Sequence, residues 1–308
     1  MNDYQVVSTD TLNVGYLEWL PKRDTPIDTV VLLHGWPDCP EGWAEVGRCF
    51  ADAGYRVLAP ALRGFGPTTF RSSERRGGQL AALGRDLLEL IGTLQLHKPI
   101  LIGHDWGARA AGNACGLQPG VASHLVMMSV GYGTNDPHQK LSLQQVCNYW
   151  YQWYMATVRG EHTVRNDREA FTRMMWDTWS PTGWYTESDF QQALKAFSNP
   201  DWADVVLHSY RHRWGFEPGT PCYQNDDSTL SPAPVLDIPT LVLHGEMDTC
   251  NHPDGSAQKD HFFSDRYQRE LLPDVGHFLH REAPGLVAKT VLSFLRESPD
   301  LIDRPLKI

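Results

Sequence analysis

Short apolar runs alternate with helix-spaced hydrophobics along much of this chain, and that alternation limits the fold more than any composition figure does. Val30–His34 (VVLLH), Arg56–Pro60 (RVLAP), Ile100–Gly103, Leu125–Val130 (LVMMSV), Thr240–His244 (TLVLH) and Gln268–Leu272 read as short buried strands. Residues 41–53, closed by Gly54, then 107–118 and 285–296, read as helices, and Leu80, Leu83, Leu87, Leu88, Ile91 and Leu94 recur at helical spacing. Residues 12–20 (LNVGYLEWL) alternate in character and predict an early antiparallel strand. Strands joined through helices run parallel, with the helices packed on both faces of the sheet. The expected class is α/β, with a mostly parallel twisted sheet.

Between residues 131 and 235 the alternation stops. The segments VCNYWYQWYM, AFTRMMWDTW, SDFQQALKAF and VVLHSYRHRW are aromatic and helix-like, and seven of the eleven tryptophans fall between Trp150 and Trp214. The Pro-rich stretch PGTPCYQNDDSTLSPAP reads as a connector back to the sheet. The expected organisation is a core over 1–130, a helical cap over 131–235 and the rest of the core over 236–308, with no internal repeat. A chain of 308 residues is long enough to bury such a core.

The stretch LIGHDWGAR (101–109) puts a carboxylate, Asp105, at the centre of Gly-x-x-x-Gly between a strand and a helix. That pattern describes a tight turn lifting its central residue above the sheet edge, and the glycines are expected to allow the sharp turn and a close strand–helix approach. A helix N-terminus favours an anion there. An ionised Asp needs no base to act as a nucleophile and can form an ester with an electrophilic carbon. Hydrolysing that ester takes a base, an acid to orient it, and donors for the oxyanion. His277, in PDVGHFLHREAP, follows a strand and precedes a helix, and Asp248, in LHGEMDTC, sits just past the strand over 240–244. Asp274 has no assigned role. The order nucleophile, acid, histidine is that of α/β-hydrolases. The expected oxyanion donors are the backbone N–H groups of Trp106, next after Asp105, and of Trp36 in HGWPD, where Pro37 has no N–H to give.

HGWPD (34–38), LRGFGPT (62–68), GHDWGAR (103–109), the Asp248 turn and GHFLHRE (276–282) occur in order, and together they resemble the epoxide hydrolase branch of the α/β-hydrolase superfamily. The resemblance covers nearly the whole chain, cap included. It implies the α/β-hydrolase fold and a small apolar epoxide as substrate. It also implies two cap tyrosines that hydrogen-bond the epoxide oxygen: YQWYM points to Tyr151 and SYRHRWG to Tyr210. A phenol O–H suits this chemistry, because ring opening leaves an alkoxide that a donor must support.

Haloalkane and haloacid dehalogenases share the Asp nucleophile and stand as the alternative, beside a non-catalytic binding protein on the same fold. Haloalkane dehalogenases typically resemble HGNP at the first loop, where this chain has Trp36. Fluoroacetate dehalogenases usually carry Arg directly after the nucleophile, where this chain has Trp106, although Arg109 matches a second Arg of their pattern. Asp136 is the substitute for Asp248, and Tyr149, Tyr154 and Tyr185 are the other pocket candidates. Arg109 by itself reads as a helix-surface or salt-bridging residue, and His34 and His104 as loop supports.

A net charge of −10 gives no electrostatic case for nucleic acid or acidic membranes. The N-terminus lacks a basic and apolar leader pattern, and no run reaches the length of a membrane span. Six scattered cysteines without a C-x-x-C pair read as reduced thiols, and the expected location is cytoplasmic. No cofactor is expected and no metal, since His277 and His280 have no further ligands at convincing spacing. No motif sets the oligomeric state, which leaves a homodimer open.

Overall fold

The computed structural model describes residues 3–133 and 140–297, and its described strands form one nine-stranded sheet. In chain order the strands are β1 (Gln5–Ser8), β2 (Leu12–Trp19), β3 (Thr29–Leu33), β4 (Arg56–Pro60), β5 (Thr69–Phe70), β6 (Ile100–His104), β7 (His124–Met128), β8 (Thr240–Gly245) and β9 (Tyr267–Leu272). The order across the sheet is β1-β2-β4-β3-β6-β7-β8-β9, with β5 paired to β2. From β4 to β9 every pairing is parallel, while β1, β2 and β5 pair antiparallel. The parallel strands match the apolar runs of the sequence to within one or two residues. β1 and β5 carry no apolar run, lie at the periphery and were not legible from pattern.

The helices are α1 (Ala44–Asp52), α2 (Leu80–Thr93), α3 (Trp106–Leu117), α4 (Leu143–Asn148), α5 (Trp150–Met155), α6 (Val158–Asn166), α7 (Arg168–Thr178), α8 (Glu187–Ala196), α9 (Trp202–Arg213), α10 (Gln224–Thr229), α11 (Leu279–Glu282) and α12 (Pro284–Arg296). Successive strand residues point to opposite faces. Val30, Leu32, Ile100, Ile102, Val126, Met128, Leu241 and Leu243 therefore pack with Val46 and Phe50 of α1 and Val287 and Val291 of α12. Their neighbours Val31, Leu33, Leu101, Leu125, Met127 and Val242 pack on the other face with Leu83 and Leu87 of α2 and Ala110 and Ala111 of α3. Both faces being covered, the central strands are apolar throughout rather than alternating.

Helices α4 to α10 all fall between β7 and β8. The Pro-rich stretch is not wholly a connector: it contains α10, preceded by a turn of 3₁₀ helix over Pro221–Tyr223. Its anchors come from the core. The buried Arg63 guanidinium donates to Tyr223 Oη at 2.9 Å and to both oxygens of Asp86 at 2.6 Å, and Arg85 pairs with Asp226.

The turn between β6 and α3 departs in one respect from the expectation. Asp105 itself adopts the strained conformation, with φ 49° and ψ −111°. The glycines serve close approach instead. A Cβ on Gly103 would lie 2.2 Å from the Gly107 carbonyl oxygen, and one on Gly107 would lie 2.1 Å from the Leu33 carbonyl oxygen of β3. Gly107→Ala therefore forces α3 off the sheet and is expected to cost about 3 kcal/mol. In urea unfolding the midpoint should fall with little change in slope; an unchanged midpoint would refute the packing argument.

Candidate active site

Parallel strands deliver the loops at their carboxyl ends to one edge of the sheet, where α/β folds place ligands. Asp105 follows β6, Asp248 follows β8, His277 follows β9 and Trp36 follows β3. The structure brings these four together. Trp36 N–H donates to Asp105 Oδ1 at 3.0 Å, and Gly35 lies so near that a Cβ on it would be 2.5 Å from Asp105 Cβ. The other carboxylate oxygen, Oδ2, lies 4.0 Å from His277 Nε2, too far for a direct hydrogen bond. On the far side of the ring, His277 Nδ1 lies 2.9 Å from Asp248 Oδ2. Asp248 Oδ1 accepts from Cys250 N–H and Asn251 N–H at 2.8 and 2.9 Å, which fixes the carboxylate plane. Asp136 lies outside the described residues.

Burial and charge oppose each other at this pair. Burial disfavours the His277 imidazolium, but attraction to Asp248 and Asp105 outweighs it and leaves the pKa raised. Burial likewise disfavours the Asp248 carboxylate, yet His277 and His244 hold its pKa below the ordinary value. Asp248 is thus an anion that keeps the Nδ1 proton of His277 and leaves Nε2 to face Asp105.

The backbone around His277 is clamped from several elements. His104 Nε2 and Ser129 Oγ donate to its carbonyl at 2.8 and 2.7 Å. Its N–H donates to Ser180 Oγ at 2.9 Å and to the Trp179 carbonyl at 3.1 Å, and the Trp179 ring lies 5.1 Å from the imidazole. Glu282 accepts from Gly276 N–H, Phe278 N–H and Ser180 Oγ, at 2.7, 2.8 and 2.6 Å. The helical insertion therefore touches the histidine loop through Trp179 and Ser180, which sequence reasoning missed because neither has a motif. Glu282 lies within GHFLHRE, where no spacing signals this clamp.

Tyr151 on α5 and Tyr210 on α9 meet over Trp36. Tyr151 stacks on the indole of Trp36 with centroids 5.4 Å apart, Tyr210 meets it edge-on at 5.4 Å, and the two phenol rings are 5.5 Å apart. Each phenol oxygen accepts one N–H: Tyr210 from Trp106 Nε1 at 3.2 Å, Tyr151 from Gln152 Nε2 at 2.7 Å. Burial raises both phenol pKa values well above the ordinary one, so each keeps its proton and can donate it. The other tyrosine candidates use their oxygens elsewhere: Tyr149 on Asn251, Tyr154 on Thr163 and Tyr185 on Asp177. Trp106 thus contributes its indole to Tyr210, while its backbone N–H opens α3 beside Asp105.

Three expectations about basic residues are sharpened. His34 is a loop support, accepting from Leu62 N–H at 3.0 Å with its other nitrogen on the Gly35 carbonyl. Arg109 is not on the helix surface but buried, at 6% exposure. His280 groups with Asp38 and His104 rather than with His277, their ligand-type atoms all within 4.8 Å of one another. That trio is poorly suited to a cation. Asp38 already accepts from His280 Nε2 at 2.8 Å and from Arg281 Nε and Nη2 at 2.9 and 2.7 Å, and the fixed guanidinium would repel a metal ion beside it. Asp38 is better read as the anchor that ties the Trp36 loop to α11.

Residues 28–284 match the alpha/beta hydrolase fold family. Epoxide hydrolase 2 of Siraitia grosvenorii is 35% identical over 297 residues, covering 87% of this chain and 92% of that protein. Epoxide hydrolase A of Mycobacterium tuberculosis is 27% identical over 295 residues, covering 86% and 89%. A crystal structure from Klebsiella pneumoniae, described as a candidate epoxide hydrolase, superposes with a TM-score of 0.88 at 33% identity, covering 95% of this chain and 97% of that one.

Proposed function

The chain belongs to the alpha/beta hydrolase fold family, in its epoxide hydrolase branch, and from that premise we propose that it opens an epoxide to a vicinal diol through an ester on Asp105. The observation that carries this reading is the convergence of two protonated phenols, Tyr151 and Tyr210, with the Asp105–His277–Asp248 arrangement. In the first step Asp105 Oδ2 attacks an epoxide carbon, and the carbon–oxygen bond breaks. The alkoxide formed is more basic than a phenolate, so a tyrosine proton passes to it. Oδ1, held by Trp36 N–H, becomes the ester carbonyl oxygen. In the second step His277 Nε2 takes a proton from water, whose oxygen attacks the ester carbon. The charge develops on Oδ1, where the N–H groups of Trp36 and Trp106 act as the oxyanion donors. The intermediate collapses, the diol leaves with a proton from His277, and the remaining proton restores the phenol.

The two steps are linked electrostatically. The Asp105 charge is one cause of the raised His277 pKa. Ester formation removes that charge, so the imidazole becomes a free base when the second step needs it. Single-turnover kinetics should show ester hydrolysis rising with pH through a lower pKa than His277 has in the free enzyme; equal values would refute the link. Asp248→Asn removes the larger attraction and the tautomer lock. It should lower that pKa further and slow hydrolysis roughly 10³- to 10⁴-fold.

The central test is one turnover in ¹⁸O-water followed by mass analysis of the peptide holding Asp105. Label in that carboxylate is expected, and its absence would mean that water attacks the epoxide directly. Halide release is the competing outcome. Against it stands Trp106, whose indole N–H is committed to Tyr210 and so not available to a leaving halide. The diol yield on an epoxide should exceed halide yield on a haloalkane of matched carbon skeleton. All six cysteines are free, which supports a reducing, cytoplasmic setting; no described helix is long and apolar enough to cross a membrane.

A further inference from the structure

Arg213 is the last residue of α9, three positions after Tyr210, so the two side chains share one face of that helix. Its guanidinium carbon lies 4.9 Å from the centroid of the Tyr210 ring. Nε and Nη2 of Arg213 are buried and have no hydrogen-bond partner among the described residues. Arg211, two positions earlier, is treated differently: it pairs with Glu161 at 2.8 Å.

A buried guanidinium edge without an acceptor is costly. The Nε–Nη2 edge is also the side of Arg that matches both oxygens of a carboxylate in two parallel hydrogen bonds. We propose that this edge of Arg213 binds a carboxylate carried by the substrate, so that the preferred substrates are short epoxy acids rather than wholly apolar epoxides. The proposal rests on the epoxide reading above and specifies its substrate class. Tyr210 sets the geometry: its phenol oxygen supports the epoxide oxygen, while its ring carries Arg213, so a short spacer joins the two substrate groups. The Arg213 guanidinium also offsets the charge of the incoming carboxylate.

The test uses two pairs of probes. Oxiranylacetate and its methyl ester compare an epoxide with and without the anion. Cyclopropylacetate and cyclopropylacetamide make the same comparison with a ring that Asp105 cannot open. By calorimetry, the wild type should bind cyclopropylacetate at least tenfold more tightly than the amide. Arg213→Gln should erase that margin and Arg213→Lys should retain part of it, because an ammonium keeps the charge but not the fork. In turnover, the acid-to-ester ratio of kcat/KM should be at least tenfold in the wild type and fall towards unity in Arg213→Gln, through KM. The melting temperature of Arg213→Gln should not fall, since an unpaired buried charge is removed. Equal binding of acid and amide by the wild type overturns the proposal. So does a Gln variant that keeps the margin, or one that loses stability and both ligands alike. A carboxylate margin without any epoxide turnover would instead refute the activity and leave the anion site standing.

Discussion

The His277→Gln variant should consume one equivalent of epoxide and then stop, leaving the substrate mass attached to Asp105. In the proposed mechanism the Asp105 carboxylate attacks without any proton transfer to the imidazole, and His277 enters only when water attacks the ester. Glutamine fills a similar volume, lacks a basic nitrogen and cannot accept that proton. Steady turnover is expected to fall roughly 10³-fold or more, while the rate of adduct formation stays within about tenfold of wild type, since one pKa unit of electrostatic change is about that factor. Intact-mass measurement after mixing with substrate reads both quantities. A variant with neither turnover nor adduct would mean that the imidazole is needed for the first bond, as for a hydroxyl nucleophile, and the Asp105 mechanism would fail.

Replacing both Tyr151 and Tyr210 with Phe should block the opposite step. Each ring still packs against Trp36, so the pocket keeps its shape while it loses two O–H donors and the oxygens that accept from Trp106 Nε1 and Gln152 Nε2. The alkoxide then has no proton source at the moment the ring opens. Each single variant is expected to slow adduct formation roughly 10²-fold and the pair roughly 10⁴-fold, within the range of general acid catalysis. Because the first step becomes limiting, no adduct should accumulate in the double variant, the reverse of His277→Gln. Tyr210→Phe also removes the acceptor of the Trp106 indole N–H. If halide release appeared or rose in that variant while epoxide opening fell, Trp106 and Tyr210 would be shown to divide the two chemistries between them. Wild-type rates of adduct formation in the double variant would remove both tyrosines from the mechanism.

Legibility in the sequence followed the range of the interaction. The buried parallel strands were readable because burial on both faces demands uninterrupted apolar runs. The elbow was readable because Gly103 and Gly107 occupy positions where a Cβ would meet backbone atoms. The order Asp105, Asp248, His277 was readable because each follows a strand end. In contrast, β1 pairs with β2 at an exposed edge and carries no pattern, and α10 is held in place by Arg63, Arg85 and their partners across the fold. Arg109 reads from sequence as a helix-surface or salt-bridging residue, and its burial at 6% exposure was not legible because local periodicity does not register what packs over α3 from elsewhere in the chain.

The amino-acid sequence alone determined the strand–helix alternation, the carboxylate at the elbow and the histidine and acid that follow later strands, because these depend on neighbours within a few residues. Only the tertiary structure decided that Tyr151 and Tyr210 meet at Trp36, how Trp179, Ser180 and Glu282 clamp the His277 loop, and that Arg213 brings beside Tyr210 a guanidinium edge with no hydrogen-bond partner among the described residues. Those outcomes depend on which residues, far apart in the chain, share one desolvated space. There the contact partners, rather than local propensity, set hydrogen bonding and charge.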